Sequence, residues 1–310
     1  MRPRVAALLG LSRTVADLTR TEAFYRDGLG FRRLGPIGRI PTSLLEALDR
    51  PDASGACLRM GLGRQTIAFL AFDGPGQDPV EASADDPWFQ HAAIVVSDME
   101  RAFAQVQRLS PIRISEGDPQ TLPAASGGVT AWKFRDPDGH PLELLAFPRG
   151  GTGSPWAGAT DLFAGIDHSA IVVSDAEAAI AFFRDGLGLD LAARGLNSGP
   201  EQAALDGLPG PVVDVIALAP ARVTTPHVEV LHYRAPAASR PPSPRTRSTT
   251  RFHFAVDDLP GLVARLIDAW PAHPVAASRD GRAAGLTGPD GHGILLTPAE
   301  DHRLGLDGPT

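Results

Sequence analysis

The segment AIVVSD occurs twice without change, at Ala93 to Asp98 and at Ala170 to Asp175, 77 residues apart. Internal repetition constrains a fold more than any single motif, because each repeat must be one supersecondary unit that buries its apolar face against its neighbours. Two further pairs extend the pattern. AFYRDGLG from Ala23 returns as AFFRDGLG from Ala181, and FRDPDGHPLELL from Phe134 returns more weakly as LTGPDGHGILLT from Leu286. Together they imply four modules, near residues 3–73, 88–148, 164–235 and 250–299, two in each of the stretches 1–150 and 160–310.

Within each module the periodicities follow one order. A run rich in β-branched residues (AAIVVSD, SAIVVSD, HFAVDD) ends in an aspartate that can cap a following helix. Apolar residues then recur at helical spacing: Ala102, Phe103, Val106 and Leu109 in the second module, Ala178, Ile180, Ala181 and Phe182 in the third. Gly28, Gly30, Gly186 and Gly188 are expected to end their helices as left-handed caps. Extended segments follow, and a DPDG or GPDG turn leads into the last strand, so each module reads βαβββ and the class is α+β. His140 and His292, within those turns, are expected to face solvent. The opening MRPRVAALLGLSR reads as a first strand, since Arg13 and Asp17 follow its apolar run without a small-residue cleavage site. Arg149 to Trp156 and Ala235 to Pro244, rich in proline and glycine, read as linkers, and GPGQDP from Gly74 as a loop.

Composition narrows the function classes. With 43% hydrophobic and 21% charged residues in 310, the balance is that of a soluble globular chain, without apolar runs long enough to span a membrane. The net charge of −7 comes without a concentrated basic face, which argues against nucleic acid and anionic lipid as partners. The densest basic stretch, Arg240 to Arg251, lies among prolines and serines and reads as linker. A single cysteine, Cys57, forms no intrachain disulfide, which fits a reducing, cytoplasmic setting. Lys133 is the only lysine among 29 basic residues, a bias that reads as genome composition rather than mechanism.

The module order, the AFYRDGLGF segment and the FRDPDGHPLEL ending resemble the vicinal oxygen chelate superfamily. Its members include glyoxalase I, methylmalonyl-CoA epimerase, extradiol dioxygenases and bleomycin or fosfomycin resistance proteins. The resemblance covers nearly the whole chain. It implies four βαβββ modules pairing into two cupped, partly closed mixed sheets, with the ligands of a divalent metal projecting into the cup. A histidine on the first strand and a glutamate on the last are the usual contributors from a module.

The aspartate that ends each first strand supplies the register for carrying this over. Seven residues before Asp98 and Asp175 stand His91 and His168; seven before Asp17 and Asp258 stand Gly10 and Arg251. On the last strands the second and third modules offer Glu143 and Glu229, whereas the first and fourth offer Ala68 and Leu295. A lone strand histidine is more often a hydrogen-bonded core residue than a ligand. With 9 histidines in 310 residues, however, one at each of two preassigned positions arises by chance on the order of once in a thousand. The joint pattern favours a metal site of His91, Glu143, His168 and Glu229. Pairing of the second module with the third, and the first with the fourth, gathers all four ligands. Sequential pairing would split them, leaving sites to be completed between subunits or by His253.

Two imidazoles and two carboxylates suit Fe, Mn, Ni, Co or Zn as the divalent ion. The set most resembles the glyoxalase I pattern, which implies isomerase or lyase chemistry on a small oxygenated substrate that chelates the metal, with Glu143 or Glu229 moving a proton beside a carbonyl. Two alternatives stand. One is an extradiol ring-cleavage dioxygenase, with His227, His232 and Tyr233 near Glu229 as proton donors, although His227 and Tyr233 read equally as packed strand residues. The other is a metal-free protein that sequesters a small molecule or antibiotic. The expected partner is a small molecule, with a homodimer left open.

Overall fold

The computed structural model describes residues 3–74, 82–148, 155–220, 223, 225–235 and 250–300. Most of both linkers, the GPGQDP loop beyond Gly74 and nearly all of the Arg240 to Arg251 stretch lie outside the described residues.

Each module opens on the strand its β-branched run foretells: Val5–Thr14, Gln90–Val96, Phe163–Val172 and Thr250–Val256. Helices follow at Leu18–Ala23, Met99–Gln107, Ala176–Ala181 and Leu259–Ala269, and each starts at its aspartate. Asp17 accepts from Thr19 N at 2.8 Å, and Asp98, Asp175 and Asp258 accept from Arg101, Ala178 and Gly261 N at 3.0 Å. Each cap satisfies a backbone donor that the first helical turn leaves open and contributes about 1 kcal/mol. Of the four helix-ending glycines, Gly30 and Gly188 take left-handed backbone, at φ +71° and +80°. Gly28 is there for space, since a Cβ would lie 2.1 Å from Leu109 Cδ1. No helix among the described residues is long and apolar enough to cross a membrane.

The strands form two nine-stranded mixed sheets. In one, Thr250–Val256 of the fourth module pairs antiparallel with Val5–Thr14 of the first; in the other, Phe163–Val172 of the third pairs with Gln90–Val96 of the second. Within each module the last strand runs parallel to the first: Gln65–Phe72, Pro141–Ala146, His227–Ala235 and Gly293–Pro298. The expected cupped, partly closed sheets are not found. Both sheets are open, with outer strands that do not pair with each other. Closure would require those edges to meet, yet one edge of each is a two-residue strand, Arg32–Arg33 or Ile112–Arg113. The opposite edge of the second sheet is Asp190–Ser198, exposed along nearly its whole length.

Strand alternation divides the second sheet into two faces. Ala92, Ile94 and Val96 point into a core shared with the other sheet (Leu11, Phe69, Phe252 and Phe254) and with the helices (Val106, Ile180 and Leu262). The opposite face carries His91 and Ala93. It packs beneath a helix the βαβββ reading lacks, Pro200–Asp206, whose Leu205 joins Ala93, Ala131 and Leu145 in a small cluster. Pro200 near its start and left-handed Gly207 just past its end are the ordinary helix bounds.

His140 and His292 do not face solvent; they are 0% and 4% exposed. The DPDG turn docks on the first module, where Asp138 accepts from Ala16 N at 2.8 Å, and the GPDG turn docks on the third, where Asp290 accepts from Ser174 N at 2.9 Å. His140 Nδ1 meets Asp136 at 2.9 Å and His292 Nε2 meets the Val172 carbonyl at 2.8 Å. These turns therefore clasp sequential modules, while the sheets pair the others.

Candidate metal centre

Parallel pairing within a module fixes where the site residues stand. Glu143 lies opposite Ala93, two residues beyond His91, and Glu229 lies opposite Ala170, two residues beyond His168. The same register puts Ala68 opposite Ser12 and Leu295 opposite His253. All four modules thus superpose on the register taken from their aspartates. The antiparallel seam sets His168 opposite Ala93 and His91 opposite Ala170, which brings the two histidines together.

His91, Glu143 and His168 each offer a ligand atom within 4.8 Å of the others. His91 Nε2 is 3.1 Å and His168 Nε2 is 3.6 Å from Glu143 Oε2. Glu229 Oε1 lies 3.6 Å from His168 Nε2, outside the tight group of three. The two histidines and Glu143 are 1–5% exposed, while the Glu229 side chain reaches 18%. Neither ring nitrogen of His91, nor His168 Nε2, has a hydrogen-bond partner. In the other sheet the equivalent positions hold Gly10, Ala68, Arg251 and Leu295, and His253 instead hydrogen-bonds Thr297 Oγ1 at 2.9 Å.

Burial drives the His91 pKa down to about 4, so its imidazole is neutral at pH 7. Burial also opposes charge on Glu143, but its interactions with the His91 ring, the Lys133 ammonium and the His168 ring outweigh burial and hold the carboxyl well below its usual range. His168 moves the other way: against burial, the Glu229 charge, the hydrogen bond to Asp167 and the nearby Glu143 carboxylate hold its pKa well above the usual histidine range.

Asp167, Asp206 and a role for Lys133 at the site escaped the sequence reading. Asp167, His168 and His227 form a second group of three ligand atoms within 4.8 Å. Lys133 stands opposite Glu143 on the neighbouring strand Thr130–Arg135 and donates to Asp206 Oδ1 at 2.7 Å. Asp206 Oδ2 accepts from Tyr233 Oη at 2.8 Å and Gln202 Nε2 at 2.7 Å. The lone lysine was the available signal for this network. His227 lies beside His168, with ring centroids 5.4 Å apart. His232 pairs instead with Asp214 at 3.1 Å.

The model of the Glyoxalase/Bleomycin resistance protein/Dioxygenase superfamily matches residues 7–144 and 165–296. Among solved structures, glyoxalase I from Zea mays is 16% identical, with 98% of this chain and 95% of that one covered at a TM-score of 0.65. A variant of the same maize enzyme gives 16%, 98%, 96% and 0.67. A putative dioxygenase from Bacillus subtilis subsp. subtilis str. 168 is 12% identical, with coverage of 96% and 86% and a TM-score of 0.57. At these identities the likeness is one of fold. No curated protein matches the chain. Because each of the two matched stretches takes in a pair of modules, and together they span most of the sequence, the chain belongs to the glyoxalase/bleomycin resistance protein/dioxygenase, or vicinal oxygen chelate, superfamily in a duplicated two-module form.

Proposed function

We propose that the chain is a metal-dependent enzyme in which His91, Glu143, His168 and Glu229 hold one divalent ion, and that it moves a proton beside a carbonyl of a small oxygenated substrate, as an isomerase or lyase. The observation that carries this reading is the approach of two buried, unpartnered Nε2 atoms to one carboxylate, at 3.1 and 3.6 Å. Leaving such atoms unsatisfied costs about 1–3 kcal/mol each, and a divalent ion satisfies both. The donor set suits Fe(II), Mn(II), Co(II), Ni(II) or Zn(II). When bound, the ion supplies a Lewis acid that polarises a chelating carbonyl.

The residues divide the remaining work. Neutral His91 and ionised Glu143 are already in ligand form. Glu229, more exposed and outside the tight group, is the carboxylate free to take the proton from the substrate carbon and return it. Lys133 and Tyr233, both fixed by Asp206, hold the surrounding polar wall in place.

A second reading has an observation of its own. His91, His168 and Glu143 are two imidazoles and one carboxylate, the set used by non-haem Fe(II) oxygenases, which supports ring cleavage of an aromatic diol. Metal content of protein purified without added metal, beside a Glu143→Ala, Glu229→Ala double variant, tests both. Near-stoichiometric metal that the variant lacks supports the centre; iron favours the oxygenase, nickel or zinc the isomerase or lyase. A folded wild type that holds no metal even after reconstitution overturns both and leaves a metal-free protein that sequesters its ligand.

A further inference from the structure

The two histidines of the proposed centre are held differently. His91 has no hydrogen bond to either ring nitrogen, whereas His168 Nδ1 lies 3.0 Å from Asp167 Oδ2. Adjacent residues of a regular strand point to opposite faces, so Asp167 ought to turn away from His168. A bulge removes that restriction. In the pairing with Gln90–Val96, Ile166 faces Ile94 and His168 faces Ala93, leaving Asp167 as the extra residue. The other sheet has the same irregularity, with Leu8 facing Phe254 and Gly10 facing His253, and there the extra residue is Leu9. The bulge thus belongs to the repeated architecture, and the sheet that carries the histidines puts a carboxylate at it. Asp167 is itself pinned: it is 5% exposed, and its Oδ1 accepts from the Trp156 indole Nε1 at 2.5 Å.

We infer that Asp167 is the positioning residue of the metal centre: by accepting the Nδ1 proton of His168 it fixes the ring so that, when a divalent ion displaces the Nε2 proton, the Nε2 lone pair faces Glu143 and Glu229, and Trp156 holds Asp167 to that task. The inference rests on the proposed metal centre. Outer-shell carboxylates of this kind typically contribute 10–100-fold to metal affinity. The competing role for Asp167 is ligation of a second ion with His227, whose Nδ1 is 4.0 Å from Asp167 Oδ2.

The test is Co(II) affinity and stoichiometry, measured by competition with a chromophoric chelator, for wild type, Asp167→Ala, Asp167→Asn and His227→Ala. Circular dichroism identifies the variants that fold. Asp167→Ala is expected to bind one equivalent about 10–100-fold more weakly. Asp167→Asn, whose amide oxygen still accepts from Nδ1–H, recovers part of that loss, and it carries the test if the alanine variant does not fold. Long-range ¹⁵N–¹H spectra of the Zn(II)-loaded wild type and Asp167→Asn should both show the Nδ1–H tautomer of His168. Wild-type affinity in a folded Asp167→Ala, or in Asp167→Asn together with loss of the tautomer, overturns the positioning role while the centre stands. Two equivalents in wild type, one of them lost in His227→Ala, make Asp167 a ligand and overturn it as well. If wild type binds no Co(II), the metal centre itself falls and the inference with it.

Discussion

The Lys133 ammonium lies 2.7 Å from the Asp206 carboxylate, with the two side chains only 3% and 0% exposed. The pair joins the strand beside Glu143 to the end of the Pro200–Asp206 helix, and so couples the second module to the third over the ligand face. In a chain whose other 28 lysine or arginine positions are all arginine, the single ammonium is the group that meets this buried carboxylate. Lys133→Met leaves Asp206 buried without its counter-charge and is expected to destabilise by about 3–5 kcal/mol, whereas Lys133→Met with Asp206→Leu recovers most of that loss. Urea unfolding checks this. A double variant no more stable than the single one would mean that the pair's charge balance is not what the fold depends on.

The two glutamates are expected to separate in function. Glu143→Gln removes the carboxylate that approaches the Nε2 atoms of both imidazoles and should abolish tight binding of Zn(II) or Ni(II). Glu229→Gln touches the more exposed carboxylate, so it should keep a bound ion while turnover falls about 10²–10⁴-fold, the usual contribution of a general base. Titration calorimetry reads the first effect, and rates on a carbonyl substrate accepted by wild type read the second. If both variants lose metal alike, the division of roles between the glutamates is wrong.

Asp136 sets a stability window at low pH. It is buried with Arg13, Tyr25 and His140; Tyr25 Oη donates to it at 2.9 Å, and the backbone N–H groups of Asp138 and His140 do so at 2.9 Å each. Burial opposes its charge, but His140 and Arg13 outweigh burial and hold its pKa at about 2, below the ordinary 3.8. A carboxyl depressed on folding stabilises above its unfolded pKa and loses that contribution as pH falls through the folded one. The contribution is on the order of 2 kcal/mol, present above about pH 4 and gone near pH 2. In urea unfolding the gap between wild type and Asp136→Asn should therefore shrink as pH drops from 5 toward 2. A gap that stays constant would assign the acid sensitivity to another group.

The positions of the four expected ligands were legible in sequence because a capping aspartate fixes the register of each first strand, and the parallel pairing of first with last strand sets the glutamates beside the histidines. Ala93 opposite Glu143 and Ala170 opposite Glu229 follow from it. What sequence could not show arises where local rules are broken or contacts are distant. The bulge at Asp167 defeats strand alternation, and the added helix that brings Asp206 to Lys133 interrupts the βαβββ order. His140 and His292 looked like turn residues because the turns are sharp; their burial comes from modules far away in sequence. The sheets' openness rests on edge strands only two residues long, too short to carry a sequence signal.

The sheet without ligands should resist conversion into a second centre, because Gly10 has no room for a side chain. Its φ is +148°, and a Cβ there would lie 1.8 Å from the Thr66 carbonyl oxygen. That backbone oxygen cannot swing aside as a flexible side chain does, so Gly10→Ala must distort the strand pair Val5–Thr14 with Gln65–Phe72, in addition to about 1–3 kcal/mol of backbone strain. Installing all four counterparts, Gly10→His, Ala68→Glu, Arg251→His and Leu295→Glu, is therefore expected to lower the melting temperature without adding a second equivalent of bound metal. Two equivalents in that variant, measured by inductively coupled plasma mass spectrometry, would show that the two sheets differ only in their ligands and not in the backbone that must carry them.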